Sequence, residues 1–173
     1  RRPPEEINFI FGLLRRFVAS DLARLVRQNV KVRVIGGRAG LEKGMLSIIE
    51  DAEAKTAHCT GLNLVIAFNY GAKGEIVGAV REIARKVAAG EMNPDDIDEN
   101  LVDAHLDTSG LPDPDLILRT SGEMRLSNFL LWQAAYAEYE FSPVLWPDFT
   151  PEVFTEILSR YGARDRRFGG VGT

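Results

Sequence analysis

A chain of 173 residues with 45% apolar and 27% charged residues has an ordinary globular balance, which excludes disorder, collagen and coiled coil as overall descriptions. A net charge of −4 argues against general nucleic-acid binding while leaving room for a local basic site. The single cysteine, Cys59, forms no internal disulfide, no Cys/His cluster has zinc spacing, and no apolar run reaches bilayer length, so a reducing, cytoplasmic setting is expected.

Pro3 and Pro4 followed by Glu5 and Glu6 mark a helix start, because proline presets φ and acids complement the positive end of the helix dipole. Ile7, Ile10, Leu14, Phe17, Leu22, Leu25 and Val26 follow at helical spacing, and Phe9, Phe11, Leu13 and Val18 widen the stripe beyond one face. Such a helix is either sandwiched in a core or lines an apolar cavity. Val30 to Ile35 alternates and stops at Gly36-Gly37, as a strand does. Leu41, Met45, Ile48, Ile49 and Ala52 give the next helix. Leu64 to Phe68 is unbroken and apolar, which predicts a strand covered on both faces, and Asn69-Tyr70-Gly71 ends it. Ile76, Val80, Ile83, Ala84 and Val87 form a helix closing near Gly90. Asn93 to Asp96 is a turn, and Asp98 caps a short helix through His105. Asp107 to Pro114 is a loop, Leu116 to Leu118 a short strand, Phe129 to Ala137 a predicted helix, and Tyr139 to Phe141 a last strand. A turn from Pro147 to Pro151 precedes a helix with Val153, Phe154, Ile157 and Leu158 on its apolar face. This alternation predicts a single α/β domain over residues 1–173, with a mostly parallel sheet flanked by helices.

In such sheets ligands bind beyond the carboxyl ends of the strands, where Asn69-Tyr70-Gly71 and the run from Arg119 to Asn128 fall. That run holds two arginines, three hydroxyls and a glycine. Arginine presents a planar fork of donors to phosphate oxygens, hydroxyls add neutral donors, and Gly122 permits close backbone approach. The residues alone admit an anion site or a capped loop with solvated arginines. Glu138, among Tyr136, Ala137 and Tyr139, needs a cation, either a metal or an arginine. The tail from Arg164 to Gly170 is a second basic segment, an anion site or a solvated terminus. His58 and His105 read as surface or cap residues, and Cys59 as a small buried or edge residue.

The run Arg119 to Gln133, then Ala135 to Glu138, Leu145 to Phe149 and Arg166 to Gly170, resembles the cis-prenyltransferases. Arg2-Pro3, Val34 to Gly36 and Leu62 to Gly71 extend the resemblance over nearly the whole chain. It implies elongation of an allylic diphosphate, such as farnesyl diphosphate, by isopentenyl diphosphate units with cis double bonds and magnesium assistance. It implies that Arg119, Arg125 and Ser127 bind the diphosphate of isopentenyl diphosphate. Glu138 is then a Mg2+ ligand with Glu123 a neighbouring acid, and Arg2 contacts a substrate diphosphate near the entrance. Leu62 matches a position at the far end of a hydrocarbon tunnel, and the first helix becomes tunnel wall. Arg167 and Gly169 match a terminal motif that reaches toward the partner subunit's site, which implies a homodimer. A long-chain product such as undecaprenyl diphosphate, a carrier for cell-wall synthesis, is expected, with peripheral membrane contact at most.

The family's N-terminal segment, with its first strand and the Met-Asp-Gly-Asn-Gly-Arg-Trp-Ala motif, has no counterpart in these residues. The fold is therefore expected to be incomplete at the N-terminus, without the magnesium-binding aspartate and the allylic site, and the chain by itself without elongation activity. Three other readings stand beside this one: a short-chain cis-prenyl diphosphate synthase, a non-catalytic partner subunit, and a phosphate-binding module without chemistry. The presence of Arg119, Arg125, Ser127 and Glu138 together argues for the catalytic type.

Overall fold

A computed structural model describes residues 4–164, which divide after Tyr70 into two compact units. The first runs α1 (Pro4–Arg27), β1 (Lys31–Ile35), α2 (Lys43–Thr56) and β2 (Asn63–Ala67). β1 and β2 pair in parallel with Val32 opposite Leu64 and Ile35 opposite Ala67. Parallel neighbours need a crossover, and α2 supplies it. Side chains of α2 also satisfy β1: Val32 N donates to Thr56 Oγ1 at 3.0 Å and Val34 N to Glu53 Oε1 at 2.7 Å. Leu22, Val32 and Ala52 form the core, with Leu25, Leu64 and Ile66 packed against them and Met45 and Ile49 fully buried on α2.

Gly36 ends β1 at φ +113°, and a Cβ there would lie 2.1 Å from the Phe68 carbonyl oxygen. Both the backbone conformation and the close approach of a second backbone require glycine. Beside it, Asn69 Nδ2 donates to the Gly37 carbonyl at 2.7 Å and Gly37 N to the Asn69 carbonyl at 3.2 Å, so the two strand ends are stitched together.

The second unit runs α3 (Ala72–Ala88), α4 (Glu99–Ala104), β3 (Leu116–Arg119), β4 (Glu138–Phe141) and α5 (Pro151–Gly162). The short helices start where their caps dictate. Asp98 accepts from Leu101 N at 2.7 Å, which holds its carboxyl below the usual range, and Thr150 accepts from Val153 N at 3.4 Å. β3 and β4 are parallel, Leu116 opposite Glu138 and Arg119 opposite Phe141. Ile117, Ala134 and Ala137 form the core with Leu126 and Leu130 against it, and Ile157 is the buried residue of α5.

The strands pair in parallel within each unit, as the alternation of helix and strand predicts. Two expectations change. β2 is half-buried at Leu64, Val65 and Ile66 rather than covered on both faces. The helix expected over Phe129 to Ala137 is a run of turns. Ser127, Asn128 and Leu130 enter it with φ of +53°, +63° and +44°, in the left-handed region. Ala134 N bonds the Leu130 carbonyl, but Ala135 N and Ala137 N bond carbonyls three residues back. Apolar periodicity does not register such left-handed residues, and they stop a helix before it propagates. No helix among the described residues is long and apolar enough to cross a membrane.

Candidate functional site

The carboxyl end of β3 delivers Arg119 into an irregular loop. Ser142 N donates back to the Arg119 carbonyl at 2.7 Å, Gly122 N to the Ser142 carbonyl at 2.8 Å and Ser121 N to the Val144 carbonyl at 2.9 Å. The first half of the loop is thus fixed to the strand-end segment after β4. Its second half folds over the Arg119 side chain. Arg119 Nη1 donates to Ser127 Oγ at 2.8 Å and to the Arg125 carbonyl. Of the residues singled out in the sequence, the Arg119 side chain and the Ser127 hydroxyl are thus brought together, with the Arg125 backbone beside them. Arg125 points its guanidinium to Glu123, with 64% of its own side chain exposed. A solvent-exposed pair of this kind is weakly held, so an incoming anion can take over the guanidinium. The result is a loop in which one guanidinium and one hydroxyl are held together, with a second, exposed guanidinium carried on the same segment.

Glu138 stands elsewhere. It opens β4 opposite Leu116, three residue pairs before Arg119, or about 10 Å along the strands. Its Oε2 accepts from Arg164 Nη1 at 3.0 Å, so the arginine partner is the one present here. Arg164 also donates to Glu140 Oε2 at 2.6 Å and to the Tyr139 carbonyl at 3.1 Å, and Arg160 donates to Glu140 Oε1 at 2.6 Å. The Arg160 guanidinium is held above its ordinary value, chiefly by that hydrogen bond to Glu140. Glu140 keeps only 14% of its side chain exposed and is the centre of this ladder between β4 and α5. Glu140→Ala should lower stability by about 1–2 kcal/mol in urea unfolding, because two guanidinium groups lose their shared acceptor.

Among the described residues no three His, Cys, Asp or Glu side chains gather as a metal cluster. Glu138 keeps one carboxylate oxygen beyond the one that Arg164 holds. Magnesium is commonly bound through one or two carboxylates with phosphate oxygens and water, so this donor set fits an ion that arrives with a diphosphate.

Leu62 lies in the loop before β2 and is 68% exposed. On α1, Leu22 is buried while Phe9 and Leu13 are exposed, and the side chains of Ile7, Ile10, Leu14 and Phe17 lie outside the described ones. α1 and α2 bound an open groove of about 840 Å³ with Leu22, Val26 and Ile48 in its lining. Arg2, Arg167 and Gly169 also lie outside the described residues. Cys59 is buried, His58 exposed, and His105 closes α4 as its C-terminal cap, with Nε2 2.7 Å from Lys86 Nζ.

Two residues that sequence reasoning passed over also shape the loop. Asn128 Oδ1 accepts from Lys73 N at 2.8 Å and its carbonyl from Ala72 N at 2.9 Å. Gln133 is 3% exposed and its amide nitrogen donates to Thr108 Oγ1 at 2.8 Å and lies 3.3 Å from both Glu75 oxygens. Glu75 is acceptor-only, which fixes which end of the Gln133 amide faces it. A glutamine inside an otherwise apolar run was the available signal.

Comparison with known proteins defines the class. The chain matches the prenyltransferase family model described as undecaprenyl diphosphate synthase over residues 1–169. It is 56% identical over 170 residues to an isoprenyl transferase of Brucella abortus biovar 1 (strain 9-941), covering 98% of this chain and 67% of that protein. An isoprenyl transferase of Agrobacterium fabrum (strain C58 / ATCC 33970) is 54% identical over 99% of this chain and 69% of its own length. Among solved structures, lavandulyl diphosphate synthase from Lavandula x intermedia, in complex with dimethylallyl diphosphate, superposes with a TM-score of 0.94. It shares 37% identity over 98% of this chain and 73% of its own. A probable undecaprenyl diphosphate synthase from Campylobacter jejuni gives a TM-score of 0.84 and 39% identity over 97% of this chain and 76% of its own. The fold is that of the cis-prenyltransferases. The chain belongs to the undecaprenyl diphosphate synthase family of prenyltransferases.

Proposed function

We propose that this protein condenses isopentenyl diphosphate onto an allylic diphosphate with formation of cis double bonds, and that the Arg119–Ser127 loop holds the diphosphate of isopentenyl diphosphate. The observation that supports this reading is the Arg119 guanidinium bonded to Ser127 Oγ and the Arg125 backbone, which holds a cation and a hydroxyl together on the loop that also carries the exposed Arg125 guanidinium. Fixed guanidinium groups stabilise a diphosphate without reorganising during reaction. In this reading Arg125 exchanges Glu123 for a phosphate oxygen as substrate enters, and Glu123 remains as the neighbouring acid.

Glu138 is the residue that would hold magnesium, together with diphosphate oxygens and water. When bound, the metal neutralises charge on a departing diphosphate. Arg2 contributes a further diphosphate contact, and Arg167 and Gly169 reach the site of a second copy in a homodimer. Leu62 belongs to the far wall of the product tunnel. The family match runs through both compact units, which supports reading them as one domain. A cytoplasmic enzyme that meets the membrane only peripherally accords with this account.

The long-chain reading, with undecaprenyl diphosphate as product for cell-wall lipid carrier synthesis, takes support from the Campylobacter structure. The superposition on lavandulyl diphosphate synthase favours a second, short-chain reading. The full gene product, incubated with Mg2+, labelled isopentenyl diphosphate and either farnesyl or dimethylallyl diphosphate, separates them by the length of the labelled product. Incorporation of several units onto farnesyl diphosphate is the expected result. Absence of any incorporation with both primers contradicts the proposed activity.

A further inference from the structure

We infer that Asn128 is a positioning residue that locks the diphosphate-binding loop onto the first turn of α3, with Gly71 as the small residue that admits it. The inference rests on the reading of the Arg119–Ser127 loop as the diphosphate site.

The loop does not hold its own shape. Ser121, Ser127, Asn128 and Leu130 are all in the left-handed region without being glycine. Such residues are strained and persist only where the surroundings over-determine them. A helix start, for its part, leaves backbone N–H groups without partners. α3 begins after Gly71, which has no side chain to cap it. Gly74 N and Glu75 N bond the Gly71 carbonyl, at 2.9 and 3.0 Å. The remaining two, Ala72 N and Lys73 N, are met by Asn128 through its carbonyl and its Oδ1. The cap thus comes from 55 residues away. It solves both problems with one residue: asparagine tolerates a positive φ and supplies the acceptor oxygen that the helix lacks.

The fit at Gly71 is close. A Cβ at Gly71 would lie 2.7 Å from Asn128 Nδ2, inside any real contact distance. Gly71 has φ of −163°, extended backbone that alanine adopts without strain, so the steric conflict with Asn128 is the specific consequence of adding a methyl group there. Asn128 follows directly on Ser127, whose Oγ is bonded to Arg119. Moving Asn128 therefore moves that hydroxyl. Farther along, Gln133 holds the loop's exit through Thr108 and Glu75, the latter also accepting from Asp107 N at 2.8 Å.

The test is a double-mutant cycle read by calorimetric binding of isopentenyl diphosphate, well below each variant's melting temperature. Asn128→Gly keeps the positive φ and removes only the amide, so the chain still folds. Asn128→Gly and Gly71→Ala should each weaken binding by about ten-fold, since small misplacements of positioning groups are costly. Gly71→Ala in the Asn128→Gly background should add less than about two-fold, because no amide remains to collide with. A Gly71→Ala loss that persists undiminished in that background overturns the inference, as does normal binding by both single variants. Arg119→Ala serves as the reference: if it binds like wild type the diphosphate site itself is misplaced, whereas if it alone loses binding the site stands and the positioning role of Asn128 fails.

Discussion

Arg119→Ala is expected to weaken isopentenyl diphosphate binding about 100-fold, with Arg125→Ala next in size and Ser127→Ala smaller. Arg119 loses more than its own charge. Its guanidinium bonds Ser127 Oγ and the Arg125 carbonyl, so truncation also releases the Ser127 hydroxyl and the backbone at Arg125. Charge-assisted hydrogen bonds contribute roughly 1.5–3 kcal/mol each, and a 100-fold loss corresponds to about 2.7 kcal/mol. Arg125 spends part of its interaction on Glu123 in the free protein, so its removal should cost less. Calorimetric titration of each variant checks the order. An Arg119→Ala protein that binds within two-fold of wild type would place the diphosphate elsewhere.

Gly36→Ala should be the most damaging single methyl addition in the first unit, lowering stability by at least about 2 kcal/mol through a φ that alanine resists and a backbone collision that cannot relax cheaply. The methyl would be driven into the Phe68 carbonyl, and Phe68 N is itself bonded to the Ile35 carbonyl at 2.9 Å. The β1 and β2 ends would have to separate, loosening the Asn69–Gly37 stitch. Urea unfolding measures the loss. Gly78→Ala, on α3 where a Cβ meets nothing within 4 Å, should be neutral or stabilising and controls for the general effect of removing glycine.

Much of this fold is legible in the residues because local chemistry and tertiary structure agree. Asp98 caps α4, Gly36 ends β1, and the alternation in Val30 to Ile35 becomes a strand with Val32 and Ile35 buried. The pairing of Arg119 with Ser127 follows from a loop leaving a strand end. What sequence reading loses is of a different kind. The stretch from Phe129 to Ala137 has helical composition, but its conformation is dictated from outside, by left-handed residues at its entry and by the bonds of Trp132 to Asp103 and Gln133 to Thr108. The α3 cap is supplied from residue 128, and a signal 55 residues distant has no local signature. Glu138 illustrates a third case. Its apolar context shows that it needs a cation, and only the fold shows that Arg164 is the one at hand.

The most direct test of the account is a crystal structure of the protein soaked with isopentenyl diphosphate. The diphosphate should lie within hydrogen-bond distance of the Arg119 and Arg125 guanidinium groups and Ser127 Oγ, with Arg125 turned away from Glu123. A diphosphate bound at another surface, with the Arg125–Glu123 pair intact and the loop empty, would contradict it.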